Sequence, residues 1–325
     1  MIRFFAAPSD VSGGFIRLSA EDGAHVRSLR LRPDELFVVC DGCGVDYLCR
    51  LGPAEATIGK MGKEKGEREK ETSEKRGKGD AVSGLPRRDT PCNDEGLDIL
   101  GLKSSGNTGT IAEIVEKRKS IGEPSVKCSV FIAYAKGDRL DYAVQKSVEL
   151  GAYEVVLFPS ERCISIPGDV QKKTARFQRI ALETAKQCGR GIVPVVSAEG
   201  SFKAAVGRAV SVARAAAAVA ECATAAAVGL PLFFYECEER QRLSALLDDV
   251  SIEAVKGKTL DHEMTGNNYP AISIVTGPEG GFEPHEAEYA KSAGMLTVSL
   301  GPRILRCETA PIAALAAVMY HTGNM

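Results

Sequence analysis

From Cys128 to the C-terminus short apolar runs alternate with amphipathic stretches, and this alternation narrows the fold more than any other feature of the chain. The run SVFIAYA reads as a strand. The following DRLDYAVQKSVELGA places Leu140, Ala143, Val144, Val148 and Leu150 close to one helical face and closes on Gly151, a residue that ends helices at little cost. Next come a strand EVVLFP, a helix over 171–187, a short strand IVPVV and an alanine-rich helical region. The strand PLFFYE, a helix over 238–247, the strand AISIVTG, a helix over 284–294, the strand TVSL and a final helix over 310–321 complete the series. Repeated strand and helix predict an α/β fold with a parallel sheet covered on both faces. Ligands of such sheets sit where loops leave the carboxyl ends of the strands.

The first third has another texture. The runs RFFA, FIRL, ELFVVC and VDYLCRL are broken by Gly, Pro and Asp, which is hairpin chemistry and predicts a small all-β domain. No aromatic residue occurs between Tyr47 and Phe131, and the run GKMGKEKGEREKETSEKRGKGD holds too little apolar area to offset its ordering entropy. Residues 54–108 are therefore expected to form a disordered, low-complexity insertion in one hairpin. Acidic residues alternate with the basic ones, so a solvated segment fits this charge pattern better than an RNA-tethering arm. The strand-like TIAEIVEKRKS returns the chain to the first domain. The expected division is 1–127 and 128–325.

Forty-one basic against 43 acidic residues leave a formal charge of −2, so a nucleic-acid partner would require a local patch. Ten scattered cysteines read as free thiols of a reducing, cytoplasmic compartment. Cys40 and Cys43 form one C-x-x-C with Cys49 nearby, but zinc needs four ligands and no second pair follows, so no metal is expected. Residues 215–234 are apolar but largely alanine, with Glu221 and Pro231 among them. A buried helix plus strand is expected there, not a membrane span. The start, MIRFFAAPSDV, carries no apolar run of signal length.

Two glycine-rich loops fall at predicted strand ends: Gly277-Pro278-Glu279-Gly280-Gly281, and 301–310, GPRILRCETA. Each is either a tight turn or a place where backbone approaches a ligand unhindered by a Cβ. Neither is a phosphate-binding lysine loop or a G-x-G-x-x-G, which removes phosphotransferases from consideration. TGPEGGF and SLGPRILRCETA, together with KGDRLDYAVQKSVELGA, SERC and RFQRIALETAKQCGR in that family's order, resemble the RsmE family of 16S rRNA (uracil-N3)-methyltransferases. In the first domain GAHVRSLRLRPDELFVVCDGCG resembles the family's barrel segment, with Pro33-Asp34 where the family has Gly-Asp. The resemblance implies a SPOUT-type domain with a deep trefoil knot, preceded by a small PUA-like β-barrel, in a homodimer that uses S-adenosylmethionine and acts on small-subunit rRNA.

Carried over residue by residue, the resemblance implies a cofactor pocket of Tyr235, Glu236, Thr276, Gly277, Glu279, Gly280, Gly281, Leu300, Gly301, Ile304, Leu305, Arg306 and Thr309. Methylation of uracil N3 requires loss of its proton and stabilisation of charge developing on O2, N3 and O4. Arg306 and Arg303 are the candidates for the electrostatic role, with Arg139 and Arg190 as helpers. Glu308 is either the general base or a charge at a helix start. Arg3, His25, Arg27, Arg30 and Arg32 in the first domain, with Arg139 and Arg190, are the candidate RNA contacts. Tyr134 and Tyr142 are either stacking platforms or packing residues. His262, His285 and His321 have no partner at catalytic or metal spacing, and Cys188 and Cys307 are expected to be small buried residues. Two alternatives remain: a SPOUT enzyme with a ribose 2′-hydroxyl acceptor, and a non-catalytic ribosome-assembly protein.

Overall fold

The computed structural model describes residues 2–32, 34–52, 110–219, 229–249 and 271–325. The predicted insertion at 54–108 and His262 lie outside the described residues. The chain forms two compact units, Met1–Arg118 and Lys119–Met325, a division slightly earlier than the expected 127/128.

The first unit carries strands β1 (Arg3–Phe5), β2 (Val11–Ser12), β3 (Phe15–Arg17), β4 (Phe37–Cys40), β5 (Val45–Leu51) and β6 (Ile111–Lys119). They form one sheet in the order β1-β4-β5-β6-β3-β2, with β1 parallel to β4. The turn between β4 and β5 is made by Asp41, whose Oδ1 accepts from the backbone N–H groups of Cys43 and Val45. Phe4, Ile16, Leu18, Val26, Phe37 and Val39 form the core, with Phe4 and Phe37 edge to face at 5.6 Å.

The unit is not all-β, because a helix, α1 (Ala20–Ser28), lies between β3 and β4. Ser19 caps it by accepting from the N–H of Asp22 and donating to that residue's carboxylate. Cys43 is disulfide-bonded, against the expectation of free thiols throughout, whereas Cys40, Cys49, Cys128, Cys163, Cys188, Cys237 and Cys307 are in no disulfide.

The second unit has the predicted α/β order. Strands β7 (Lys127–Ala133), β8 (Glu154–Phe158), β9 (Val195–Ala198), β10 (Gly229–Phe234), β11 (Ala271–Thr276) and β12 (Leu296–Val298) form an all-parallel sheet, ordered β12-β10-β11-β7-β8-β9. Its helices are α2 (Arg139–Glu149), α3 (Val170–Cys188), α4 (Phe202–Val219), α5 (Leu243–Asp249), α6 (Pro284–Ala293) and α7 (Thr309–His321). Phe131, Val156, Phe233 and Val275 point to one face and pack on Phe202, Ala205, Ala209 and Ala290 of α4 and α6. Their strand neighbours Val130, Val155, Leu232 and Ile274 are equally buried, so both faces are covered, as period-2 alternation in a two-sided sheet demands. α2 packs on α3 and α7.

The helix predicted over 238–247 begins only at Leu243. Glu238 draws the N–H groups of Arg240 and Gln241 into a turn, and Arg242 still bridges to Ser299 as a strand residue would. Among the described residues no helix is long and apolar enough to cross a membrane.

Arg190, expected at RNA, is instead part of the fold. Its side chain is 4% exposed, pairs with Glu123 at 2.7 Å and donates to the carbonyl of Ala152 at 2.6 Å. Glu123 also accepts the N–H groups of Gly191 and Ile192. Removing one member of such a buried pair strands the other, so Arg190→Ala is expected to cost about 3–5 kcal/mol in urea unfolding.

Candidate active site

Because all six strands of the second unit run the same way, the loops after β7, β8, β10, β11 and β12 emerge at one edge of the sheet. Three of them, after the adjacent strands β12, β10 and β11, enclose a cavity of about 820 Å³. Of the residues predicted for the cofactor, Tyr235, Glu236, Thr276, Gly277, Glu279, Gly280, Gly281, Leu300, Gly301, Ile304, Leu305 and Arg306 line it, and Thr309 does not. The predicted catalytic residues Arg303 and Glu308 line it as well, as does Arg139. Sequence reasoning missed Glu238 and Arg242, which also line it and which no motif marks.

The β11 loop is braced from behind. Gly281 has φ +70°, and a Cβ there would overlap the Glu236 carboxylate, whose Oε1 accepts from the N–H of Phe282. Arg162, in the SERC segment after β8, donates to Glu283 at 2.6 Å and to the Gly280 carbonyl at 2.9 Å. The buried Glu286 accepts from the Ser160 hydroxyl and the N–H groups of Glu161 and Glu283, the last as half of a capping box. The Phe282 ring stacks at 4.5 Å from Phe233. Arg162 was legible as a residue of the SERC motif but not as a brace, and no motif marked Glu286.

Opposite that brace the cavity wall is electrostatic. Glu279 Oε1 accepts from the Lys136 N–H at 2.8 Å and from Arg139 Nη1 at 2.6 Å, while its Oε2 is buried with no donor among the described residues. Burial alone would raise the Glu279 carboxyl, but the backbone N–H of Lys136 and the Arg139 guanidinium hold it below the ordinary carboxylate value. Arg139 Nε lies 3.8 Å from Glu308 Oε2, so one guanidinium ties the β11 loop to the loop before α7. Burial, with the Glu308 carboxylate beside it, pushes the Cys307 thiol up to about 12. Arg303 and Arg306 are exposed and make no ion pair or side-chain hydrogen bond among the described residues.

The other predicted RNA residues separate. Arg3 is not available, since both its terminal nitrogens are held by the buried Asp46 at 2.6 and 2.8 Å. His25, Arg27, Arg30 and Arg32 are exposed on α1 and the segment after it, with Arg27 donating to Thr110. Tyr134 is buried and stacks on nothing in solvent, whereas Tyr142 is 51% exposed on α2. Among the described residues no group of three or more His, Cys, Asp or Glu is placed to hold a metal.

A glycine-lined cavity at the carboxyl ends of three parallel strands, with apolar and charged walls and arginines among its lining, defines an α/β protein with a loop-built site of a size for a small organic ligand. The RNA methyltransferase domain model matches residues 122–319, and the chain belongs to this family, in its ribosomal RNA small subunit methyltransferase E branch. It is 30% identical to the Bacillus subtilis methyltransferase E over 234 residues, 71% of this chain and 80% of that protein. It is 29% identical to the Mesomycoplasma hyopneumoniae protein of the same name, over 62% of this chain and 73% of that one. The crystal structure of the Neisseria gonorrhoeae methyltransferase E bound to S-adenosyl methionine superposes with a TM-score of 0.61 at 25% identity, covering 98% of this chain and 97% of that one.

With a thiol at about 12, roughly one Cys307 in ten thousand is thiolate at pH 8, and thiolate is the reactive form. Iodoacetamide labelling followed by mass spectrometry is expected to modify the exposed Cys237 first and to leave Cys307 unmodified below about pH 10.

Proposed function

We propose that this chain is an S-adenosylmethionine-dependent methyltransferase that methylates N3 of one uridine in small-subunit (16S) rRNA. The observation that carries the reading is the cavity of about 820 Å³ built from the very loops that bear the family's motifs. The residues present fit the cofactor. Thr276–Gly281 and Leu300–Leu305 offer apolar walls and free backbone groups for an adenosine, and the unpartnered Glu279 Oε2 offers an acceptor for a cationic group. S-adenosylmethionine supplies a methyl carbon on a sulfonium.

In the transfer the N3–carbon bond forms as the carbon–sulfur bond breaks, the electron pair passes to sulfur, and the N3 proton leaves to a base. Arg303 and Arg306, without an ion pair or side-chain hydrogen bond among the described residues, stabilise the negative charge that develops on the uracil oxygens. Arg139, fixed by Glu279, orients the reacting base. Glu308 is assigned as proton acceptor because Oε1 of the neighbouring Glu279 is already taken by two donors. N3 lies on the pairing edge, so the uridine is unpaired or flipped when it reacts.

Further parts of the reading belong with it. A trefoil knot is supported by the passage of 299–308 alongside the β10 loop, where Ser299 exchanges backbone hydrogen bonds with Gln241 and Leu243 before the chain turns into α7, packed on β11 and β7. A PUA-like barrel is supported by the six-stranded first unit with its exposed His25, Arg27, Arg30 and Arg32. A homodimer is supported by the outer face of α7, where Tyr320 is 78% exposed beside a stripe of alanines. A cytoplasmic compartment, that of the cell or of an organelle, is supported by the seven described cysteines outside any disulfide, with Cys43 the exception.

The test is transfer of labelled methyl to unmodified small subunits and to naked rRNA, mapped by reverse transcription. A strong stop at one uridine is the expected result, because an N3-methylated base cannot pair. Label without a stop would move the acceptor to a ribose 2′-hydroxyl, and cofactor binding without label would leave an assembly protein. Two variants test the pocket. Gly281→Ala meets the Glu236 carboxylate and Gly301→Val is strained at φ +106°, so each is expected to weaken S-adenosylmethionine binding at least about tenfold by calorimetry. Glu308→Gln is expected to lower kcat by about a hundredfold while cofactor affinity stays unchanged.

A further inference from the structure

α3 begins with an unusual charge arrangement. Its first three turns carry Lys172, Lys173, Arg176 and Arg179 and no acidic residue, although cations at a helix N-terminus face the positive end of the macrodipole. Asp169, the acid just before the helix, is spent as the N-cap on the N–H of Lys172. Residues 172, 176 and 179 share one helical face, opposite the buried Phe177, Ala181 and Leu182. The Lys172 and Arg179 side chains are exposed and make no ion pair or hydrogen bond among the described residues. Arg176 is paired with Asp141 and Lys173 lies over the Phe177 ring at 5.8 Å, but the charge of Lys172 and Arg179 is met by no acid among the described residues and costs stability unless an anion meets it.

Its place in the sheet says which anion. α3 follows β8 and α2 follows β7, so both helices start at the edge where the cavity opens. Arg176 is ion-paired to Asp141 in the first turn of α2, two residues beyond the cavity-lining Arg139. Cations therefore continue along one edge from Arg303 and Arg306 through Lys136 and Arg139 to Lys172, Lys173 and Arg179. An extended polyanion fits such a line where a compact anion would not.

We infer that the RNA strand flanking the target nucleotide runs along this edge, with its phosphates held by Lys172, Lys173 and Arg179 on α3. The inference rests on the RNA-methyltransferase reading above and adds to it a docking track on the catalytic unit itself. These contacts are to phosphates, so they govern affinity and register and leave the chemical step alone.

The experiment measures binding of the full chain to naked small-subunit rRNA from about 50 to 300 mM salt, for the wild type and for a triple variant, Lys172→Gln, Lys173→Gln and Arg179→Gln. Each phosphate contact to a single strand contributes about 0.7 to the slope of log K against log salt, so the variant is expected to flatten that slope by about 2. Its KM for RNA should rise, while kcat at saturating RNA and S-adenosylmethionine affinity stay at wild-type values. The comparison variant, Lys127→Gln with Lys186→Gln, removes charge from the opposite edge and should leave the slope unchanged. An unaltered slope in the triple variant, or an equal flattening in the comparison variant, overturns the inference while the methyltransferase reading stands. Absence of any salt-dependent binding by the wild type also overturns the inference, whereas the methyltransferase reading falls only if neither naked rRNA nor small subunits are methylated, and loss of cofactor binding in the triple variant would show that α3 serves the pocket instead.

Discussion

Parallel pairing of β12 with β10, and of β10 with β11, is the constraint on which the site depends. Three strands far apart in sequence end side by side, so three loops that never meet in the primary structure form one cavity. Register matters as much as order. Leu232 aligns with Leu296 and Phe233 with Val275, which brings Tyr235 and Gly277 to the same height on the sheet edge. A shift by one residue would turn each strand's inward side chains to the other face and misplace every loop.

The loops are then held by interactions of unequal worth. Arg162 with Glu283 is short but more than a third exposed on the arginine side, so in energy it is worth little; its value lies in fixing the Gly280 carbonyl. Glu286 is different. It is buried and saturated by a hydroxyl and two N–H groups, so its loss would leave several donors unpaired at once. Arg190 with Glu123 is the same kind of contact just beyond the end of α3, and shows a cation used for the fold, whereas Lys172 and Arg179 on α3 make no ion pair among the described residues.

Much of this was legible in local pattern. Leu140, Ala143, Val144 and Val148 mark α2, and Gly151 and Gly189 mark the ends of helices, because those signals depend on residues within one or two turns of each other. α1 escaped because only Val26 gives it an apolar anchor, and its real signal is the Ser19–Asp22 cap. The start of α5 shifted because Glu238 and Ser299 compete for the backbone before Leu243. Arg3 and Arg190 were read as RNA contacts because a sequence shows a charge without showing its partner. Asp46 and Glu123 are 43 and 67 residues away from them.

The sequence by itself determined the alternating α/β order of the second unit, the two glycine loops and, through the resemblance of those loops to a known family, the membership that comparison established. Only the tertiary structure decided which loops share a cavity, that Glu279 is held by Arg139 while Arg303 and Arg306 have no ion pair among the described residues, and that Gly281 yields its space to the Glu236 carboxylate. The physical reason is range. Periodicity and capping act over a few residues, whereas strand order brings together side chains more than a hundred positions apart, and the field at each charge is set by neighbours that sequence distance does not reveal.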